Sequence, residues 1–548
     1  MTAPGASVPP PPVSLAASGA RYAGLIGAVL LAMAGRLGGA LPHAPLGVTP
    51  ASIWRTPDGP ATLTCWLVGT VLLVGAWWSL RAGAPSTRWA YVTAGLWALP
   101  LLVAPPLGSR DVYSYACQGW TYAHGVDPYA VGVAAAGCPW LDTVAPIWRD
   151  TPAPYGPVFV LLAALAVGLG GGLTGTIVAL RVIAVAGLLL AAICLPGLAR
   201  AAGVPARRAA WLALAGPLVG IHLVAGAHND AVMLGLLLPG LLTAVRRPGR
   251  PAALLLAGAL LGLAVTVKAT AVVVVPFAVL AGTPGRHTVR ALLRHGAWLL
   301  GGLLAALLVT SAVSGLGFGW VGGLTHSGDS EQWTSPPTAV GFVVDYAGTL
   351  VGRDPQAVPT VRTLALVLLV GVLVALWWRA WQTLRSMNDT AGAGRAGPEV
   401  ALPGVALPGV AWSEQAFPGL AFPGLVWPGA GRGSMARSRV ALHGAAMALV
   451  ATVVLSPVFH PWYATWPLAL LALTCARTTW FVLPAAAAAF LALPDGTNLA
   501  RATKAPGALA MTALLLIVLV GALRRRTRTP AKTADPAFHA TPRNDQSR

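Results

Sequence analysis

The feature that most constrains this chain is a succession of more than a dozen apolar stretches, each close to the length that crosses a lipid bilayer. A membrane-spanning helix needs about 20 apolar residues. Of the 548 residues, 56% are hydrophobic and only 9% are charged, whereas a soluble chain carries about 25% charged residues. The sequence therefore predicts an all-α polytopic membrane protein.

Fourteen spanning helices are predicted, with both termini on the cytoplasmic side. They lie near residues 22–42, 61–81, 88–106, 174–199, 209–225, 230–246, 251–266, 270–282, 291–314, 360–381, 439–457, 463–476, 478–494 and 506–523. Residues 155–171 are also apolar, but counting them as a crossing would move Arg200, Arg207 and Arg208 to the outside. We therefore predict that this segment is a juxtamembrane or re-entrant helix on the external side.

The charged residues agree with this orientation. Cytoplasmic segments of membrane proteins are enriched in Lys and Arg, and 26 of the 36 basic residues fall in the predicted cytoplasmic segments. Of the 16 carboxylates, 11 fall in predicted external segments. The net charge of +20 is thus explained by membrane orientation, and we do not expect nucleic acid as a partner.

The predicted crossings divide the chain into five parts. These are a disordered cytoplasmic leader at 1–20, a transmembrane catalytic region at 21–382 with an external loop at 107–157, a cytoplasmic low-complexity linker at 383–438, C-terminal transmembrane helices at 439–523, and a basic cytoplasmic tail at 524–548. Pro-Gly pentads such as Leu402-Pro403-Gly404 fill the linker, and a Pro every five residues excludes a helix there. A partner-binding segment is the alternative to a simple linker.

The external loop 107–157 contains the first candidate functional residues. Asp111 follows a predicted span directly, where a partly desolvated carboxylate has a raised pKa and can accept a proton. Tyr113 and Tyr115 would share one face of an extended segment, and Gln118 follows them. Aromatic faces suit sugar rings, whereas the alternative is an interfacial aromatic belt beside a solvated carboxylate.

Three further polar groups map to the same predicted membrane face. His228-Asn229-Asp230 lies at an external turn, and its many donors and acceptors suit hydroxyl recognition, unless it is simply a solvated turn. Lys268 lies between two apolar runs, where an ammonium needs an anionic partner such as a phosphate, or else snorkels to water. His460-Pro461-Trp462-Tyr463 begins another helix, with Pro461 suited to the first turn; a Trp/Tyr interfacial belt is the alternative there.

The five cysteines include no CxxC pair, so we expect no structural zinc site. Cys117 and Cys138 both fall in the external loop, where an oxidising environment permits a disulfide. Two free thiols are the alternative.

The layout resembles the GT-C superfamily of polytopic glycosyltransferases, which use polyprenyl-phosphate sugars and keep an acidic residue in an early external loop. Four motifs resemble the polyprenol-phosphate-mannose-dependent α-1,6-mannosyltransferases of actinobacterial lipomannan synthesis: the segments at 111–115, 154–157, 228–230 and 460–463. The resemblance runs from about 60 to 495, apart from the pentads. Two departures stand out. Asp111 follows the third predicted span and not the first, and its neighbour Val112 leaves no carboxylate pair for a metal-dependent variant.

The resemblance implies an inverting transfer of mannose from a polyprenyl-phosphate-mannose to a mannan or lipomannan acceptor, at the external face of the plasma membrane. It implies no metal and no organic cofactor. Asp111 would be the general base, with Lys268 and Arg110 on the donor phosphate. Sugars would be held by Tyr113, Tyr115, Gln118, His228, Asn229, Asp230, His460, Trp462 and Tyr463. The alternatives are a GT-C transferase with another sugar or acceptor, a lipid-linked sugar flippase or transporter, and a non-catalytic assembly subunit.

Overall fold

The computed structural model describes residues 15–42, 49–393 and 434–527. The Pro-Gly pentads, most of the predicted leader and nearly all of the basic tail lie outside the described residues. Within these ranges the chain is helical, with no strand and a single isolated bridge between Ala492 and Asn498. The predicted all-α class is therefore confirmed.

The described helices begin and end as follows. In the first half they are α1 Leu15–Gly38, α2 Pro50–Trp54, α3 Gly59–Ser79, α4 Thr87–Leu102, α5 Asp111–Ala123, α6 Pro157–Gly170, α7 Leu173–Ala202, α8 Ala206–Leu214, α9 Asp230–Arg246 and α10 Pro251–Val267. In the second half they are α11 Val275–Gly282, α12 Val289–Ser314, α13 Trp320–Gly323, α14 Pro336–Leu350, α15 Ala357–Ala393, α16 Ser434–Leu455, α17 Thr465–Thr474, α18 Thr479–Ala489, α19 Leu499–Ala502 and α20 Lys504–Thr527.

A helix lies at each of the fourteen predicted crossings, but the helices differ in length. Within the described residues, seven are long and apolar enough to cross a membrane alone: α1, α3, α7, α12, α15, α16 and α20. An eighth crossing is obtained if α8 and the π turn Val219–Ala225, which meet at a 66° bend, are counted as one span. Helix α1 begins at Leu15, so residues 15–20 are helical and do not belong to a disordered leader.

The buried side chain of Arg181, in α7, ties two helix ends together. Its guanidinium donates hydrogen bonds of 2.7 Å to the carbonyl of Leu102, the last residue of α4, and of 2.7 Å to the carbonyl of Ala225, the last residue of the π turn. Helix C-terminal carbonyls carry partial negative charge, which a cation stabilises. Asp111 follows the end of α4 and His228 follows the end of the π turn. Since Arg181 holds these two ends together, it also places Asp111 near His228.

Basic side chains collect at the other end of α4. Arg207 donates to the carbonyl of Ala84, just before α4 begins, at 3.2 Å. Arg439 donates to the carbonyl of Thr474 at 3.1 Å and 3.0 Å, and Arg208 donates to the neighbouring carbonyl of Cys475. The bundle thus has one end rich in basic side chains and an opposite end where α5 begins.

Helix α6 begins and ends at that opposite end of the bundle. Its first turn packs closely against Thr266 at the end of α10: a Cβ added to Gly156 would overlap the Thr266 backbone. Its last residue, Gly170, packs against Gly175 and Thr176 at the start of α7. With 14 residues, α6 is shorter than a full span, and the juxtamembrane or re-entrant placement of 155–171 stays a prediction.

Small residues allow close approach between neighbouring helices, as is usual in membrane bundles. Helices α10 and α12 pack backbone against backbone at two glycines. A Cβ on Gly258 would overlap the carbonyl of Leu299, and one on Gly302 would overlap the carbonyl of Leu255. This contact fixes α10, whose C-terminal end carries Lys268.

We expect Gly258→Ala to destabilise the protein by about 1–3 kcal/mol, because the added methyl meets rigid backbone and forces the helices apart. This cost outweighs the gain in helix propensity, which is about 1 kcal/mol. Thermal unfolding of the purified protein in detergent measures the effect.

The matched control is Gly301→Ala, on the facing helix. A Cβ there would lie 3.6 Å from Leu255 Cδ2, an ordinary contact, so this variant should be neutral or slightly more stable. Equal melting temperatures for the two variants would show that the α10–α12 contact tolerates separation.

Candidate active site

Helix α5 begins at Asp111, whose backbone amide donates to the Ser109 hydroxyl at 3.1 Å. A carboxylate in the first turn of a helix interacts favourably with the helix dipole. The segment is helical and not extended, so Tyr113 and Tyr115, two residues apart, lie about 200° apart around the axis. The expectation that they share one face was wrong.

A cavity of about 150 Å³ opens beside Asp111 at the end of the bundle opposite the basic side chains. Its walls come from α5, the loop before α6, the start of the 3₁₀ turn Ala269–Val274, the α13 region, and the segment that joins α16 to α17. The lining side chains that carry polar or aromatic groups are Asp111, Ser114, Gln118, Trp148, Thr151, Tyr155, Lys268, Thr270, His326, Thr452, Ser456, His460, Trp462, Tyr463 and Trp466.

Lys268 lies where α10 breaks. Its backbone is extended (φ −151°, ψ 119°) between the end of α10 and the 3₁₀ turn. Its ammonium donates to Asp230 Oδ1 at 2.8 Å, and the ring centroids of Tyr463 and Trp466 lie 4.9 Å and 5.0 Å from Nζ. The side chain is 11% exposed and does not snorkel away from the cavity.

Asp230 is fully buried and accepts hydrogen bonds from Lys268, in the break after α10, and from Trp466, in α17. Besides Lys268, the Trp466 indole N–H donates to the same Oδ1 oxygen. Charge-assisted hydrogen bonds of this kind are roughly twice as strong as neutral ones. Asp230 does not line the cavity, so this geometry gives no support to its predicted sugar contact, and the carboxylate instead holds Lys268.

His228 lies between the two carboxylates. Its Nδ1 is 3.8 Å from Asp111 Oδ2 and 3.8 Å from Asp230 Oδ2, and 3.4 Å from the Tyr115 hydroxyl. The ring is completely buried and packs on Trp462, with centroids 4.1 Å apart. Burial holds the pKa of His228 well below its usual range, so the imidazole is neutral near pH 7.

Burial raises the pKa of Asp111 to about 6, although the Lys268 ammonium and a hydrogen bond with Ser109 oppose the rise. The Asp111 side chain is 17% exposed and faces the cavity. Its carboxylate is therefore ionised near pH 7 and basic enough to accept a proton.

The structure brings six of the predicted residues to the cavity wall. These are Asp111, Gln118, Lys268, His460, Trp462 and Tyr463. The other predicted site residues do not line it. Tyr115, His228 and Asp230 lie directly behind the wall, and Asn229 is buried.

Two predicted residues serve the scaffold. The Arg110 guanidinium donates to the carbonyls of Asp495 and Thr143, both at 3.3 Å, so the predicted phosphate contact has no support in this geometry. The Tyr113 hydroxyl donates to the carbonyl of Ala40, because the helical turn at 111–115 directs it away from the cavity. Its predicted sugar contact is likewise unsupported.

Several lining residues were missed from sequence. Trp466 follows Trp462 by four residues, a spacing that places both on one helix face and was a usable signal. Ser114 follows Asp111 by three residues, which is the same kind of signal once α5 is known to be helical. Trp148 and His326 lie in the short 3₁₀ turns Pro146–Trp148 and Leu324–Gly328, and nothing in the sequence pattern singled them out.

Cys117 and Cys138 are joined in a disulfide, with their Cα atoms 5.6 Å apart. The bond ties α5 to the loop that follows it. That loop also supplies Trp148, Thr151 and Tyr155 to the cavity wall, so the disulfide links two of the cavity's walls.

Two family profiles match the chain. One, described as "Alpha-(1->6)-mannopyranosyltransferase, N-terminal domain", matches residues 21–284, and the other, described as "MptB C-terminal domain", matches residues 432–521. Alpha-(1->6)-mannopyranosyltransferase A of Mycobacterium tuberculosis is 35% identical over 378 residues, which cover 65% of this chain and 71% of that protein. The chain belongs to the alpha-(1->6)-mannopyranosyltransferase family.

Other relatives agree. A second alpha-(1->6)-mannopyranosyltransferase of Mycobacterium tuberculosis is 29% identical over 516 residues, covering 83% of this chain and 78% of the relative. Alpha-(1->6)-mannopyranosyltransferase A of Corynebacterium glutamicum is 30% identical over 373 residues, covering 61% and 74%. No solved structure matches the chain. The chain is thus a glycosyltransferase, specifically a mannosyltransferase, which sets the flippase alternative aside.

The buried ion pair between Lys268 and Asp230 should contribute to the stability of this mannosyltransferase. Lys268→Met should destabilise the protein by about 3–5 kcal/mol, because it leaves the Asp230 carboxylate buried without its cation. The double variant Lys268→Met/Asp230→Asn should recover most of this loss, since the asparagine amide is neutral and its oxygen still accepts from the Trp466 indole. Thermal unfolding in detergent measures all three proteins.

The matched control is Lys504→Met, which removes an exposed ammonium that lies 5.3 Å from the Phe342 ring centroid and should change stability by less than about 1 kcal/mol. If the single and double variants at the buried pair unfolded at the same temperature, the two charges would not be coupled.

Proposed function

We propose that this mannosyltransferase moves mannose from a polyprenyl-phosphate-mannose to a mannan or lipomannan acceptor, forms an α-1,6 linkage with inversion, and works at the external face of the plasma membrane. The observation that carries the proposal is that Asp111 and Lys268 line one cavity. A carboxylate that can accept a proton and an ammonium that can bind a phosphate are the two charges this reaction needs.

The chemistry follows from these two groups. The acceptor 6-hydroxyl attacks the anomeric carbon as the bond from that carbon to the phosphate oxygen breaks. The hydroxyl proton passes to Asp111. The departing phosphate gains a second negative charge, which the Lys268 ammonium stabilises. One direct displacement on a β-linked donor gives an α product, and the reaction requires neither a metal ion nor an organic cofactor.

Asp230 supports the phosphate role of Lys268. A lysine ammonium has three donors; one is used by Asp230, and the side chain lines the cavity. The rings of Tyr463 and Trp466 pack against the ammonium and limit its movement. The ammonium is therefore held in a single place with donors that remain available to a ligand.

Aromatic and polar lining residues suit the sugars. Trp462 is stacked against His460, with centroids 4.6 Å apart and planes 5° apart, and it also packs against the buried rings of His222 and His228. This packing fixes the indole at the cavity wall. Trp148 and Tyr155 contribute aromatic surface from the loop after α5, so a hexose can lie against flat apolar surface while its hydroxyls meet polar side chains.

The orientation is part of the proposal. The basic side chains at the end of the bundle away from the cavity agree with a cytoplasmic location for that end, and Asp111 then faces outward. Fourteen crossings, six or seven of them formed by shorter helices within the bundle, return both termini to the cytoplasm.

Purified protein supplied with radiolabelled polyprenyl-phosphate-mannose and a short α-1,6-linked mannan tests the proposal. We expect label in the acceptor, in a bond that an α-1,6-specific mannosidase removes. Transfer from a nucleotide-linked mannose but not from the lipid donor would contradict the assigned donor, and a different new linkage would contradict the assigned product.

In the same assay, Asp111→Asn should reduce transfer by about 10²–10⁴-fold, because it removes the proton acceptor and keeps nearly the same volume. The variant should unfold at the wild-type temperature. A folded Asp111→Asn protein that keeps more than half of the wild-type rate would exclude Asp111 as the general base.

The rate should also depend on pH through Asp111. Only the ionised carboxylate accepts a proton, and its raised pKa of about 6 means that the rate is full above this pH and falls about tenfold per pH unit below it. Initial rates at saturating substrates measure this acid limb, with unfolding followed in parallel. A limb near pH 4, the ordinary value for Asp, would show that the carboxylate is not desolvated in the working enzyme.

A further inference from the structure

Helix α5 presents a polar face to the cavity that starts at Asp111. Asp111, Ser114 and Gln118 are spaced by three and four residues, which places them on one side of a helix, and all three line the cavity. The flank of this face is packed, because Tyr115, four residues after Asp111, contacts Phe159 at 4.8 Å between ring centroids. From Asp111 to Gln118 the face extends about 10 Å along the axis.

Ser114 and Gln118 carry polar atoms that no described residue satisfies. Ser114 is 4% exposed and Gln118 is 5% exposed, and neither the Ser114 hydroxyl nor Gln118 Oε1 has a hydrogen-bond partner among the described residues. Leaving such buried groups unpaired costs about 1–3 kcal/mol each. Two of them, one turn apart on a cavity wall, indicate that a hydroxylated ligand completes their hydrogen bonds.

The wall around this face is fixed in place. Cys117, next to Gln118, is bonded to Cys138, and Gly119 packs directly against the backbone of Ala163 in α6. The neighbouring cavity wall carries the Trp148 and Tyr155 rings. The face therefore combines a rigid pair of polar groups with nearby aromatic surface, which is the combination that holds a pyranose ring.

We propose that Ser114 and Gln118 form the acceptor subsite, in which they hydrogen-bond the ring hydroxyls of the mannose unit whose 6-hydroxyl reaches Asp111. This assignment rests on the proposed function. It places the acceptor along α5, on the wall that continues from the base. The donor phosphate lies at Lys268, on the wall made by the break after α10, and the transferred mannose lies between the two.

The chemistry of the two side chains defines what the subsite accepts. Gln118 Oε1 is an acceptor only, so it requires a ligand O–H, whereas the Ser114 hydroxyl can donate and accept. A site whose buried polar groups depend on substrate hydroxyls discriminates strongly against an analogue that lacks one of them. Ser114 and Gln118 are therefore specificity-determining residues for the acceptor sugar.

Kinetics with both substrates varied test the subsite. Ser114→Ala and Gln118→Met remove one hydrogen-bonding group each and keep most of the volume. We expect either change to raise the apparent KM for a short α-1,6-linked mannan about 3–10-fold, the size of one lost hydrogen bond. The KM for polyprenyl-phosphate-mannose and the pH of the acid limb should stay at wild-type values.

Ser311→Ala is the matched control. Ser311 is also buried, and its hydroxyl also has no partner among the described residues, but it lies in α12 and does not line the cavity. This variant should leave both KM values unchanged. An increase in acceptor KM as large as that of Ser114→Ala would show that the effect comes from the fold and not from a subsite.

Deoxy acceptors give a second measurement that does not depend on the variants' stability. On the wild-type enzyme, mannosides that lack one ring hydroxyl should lose at least about tenfold in kcat/KM at one or more positions. For Ser114→Ala or Gln118→Met, the loss at the matching position should disappear. Equal use of all deoxy acceptors by the wild-type enzyme would overturn the subsite.

The outcomes separate this inference from the proposed function. Absence of any transfer from the lipid donor by the wild-type enzyme would contradict the proposed function itself. Normal wild-type transfer with unchanged acceptor KM in both variants would overturn the subsite alone. An increase confined to the donor KM would also overturn it, because it would place the transferred mannose, and not the acceptor, on α5.

Discussion

The buried ion pair between Lys268 and Asp230 is the interaction on which the arrangement of the cavity depends. Two charges withdrawn from water are tolerated only when their geometry is good and their remaining bonds are satisfied. Asp230 meets this condition by accepting from both Lys268 and Trp466. The pair joins the start of α9, the break after α10 and the first turn of α17 at one point, so three helix ends far apart in sequence must meet beside Asp111.

The cavity separates its two charged functions between rigid elements. The carboxylate that we propose as the proton acceptor begins helix α5, whereas the ammonium occupies an irregular break whose neighbouring helix is fixed by glycine contacts with α12. His228, neutral and buried, lies between the Asp111 and Asp230 carboxylates, 3.8 Å from each, and separates them without adding charge. A displacement in which one bond forms as another breaks needs fixed distances of this kind, and packed helices supply them better than loops.

The sequence predicted the helical class, the positions of the helices and four clusters that meet at one end, because apolar length and charge placement are properties of single segments. It did not predict that only seven of the described helices reach full spanning length, since breaks shorten several of the others. The geometry also gives no support to the phosphate contact predicted for Arg110 or the sugar contact predicted for Tyr113. The direction of both side chains depends on the first turn of α5, where the sequence had predicted an extended segment. Lys268 and Asp230 are 38 residues apart in the chain, so a local sequence pattern could not predict their ion pair.

The disulfide between Cys117 and Cys138 has a consequence for biosynthesis. Cytosolic thiols are kept reduced, and such bonds close only in oxidising surroundings. With the orientation proposed above, the tether on α5 cannot form until its loop has been translocated, so the enzyme would mature only after membrane insertion. Recombinant production in a strongly reducing host would then give a fully inserted bundle whose catalytic helix lacks its covalent anchor.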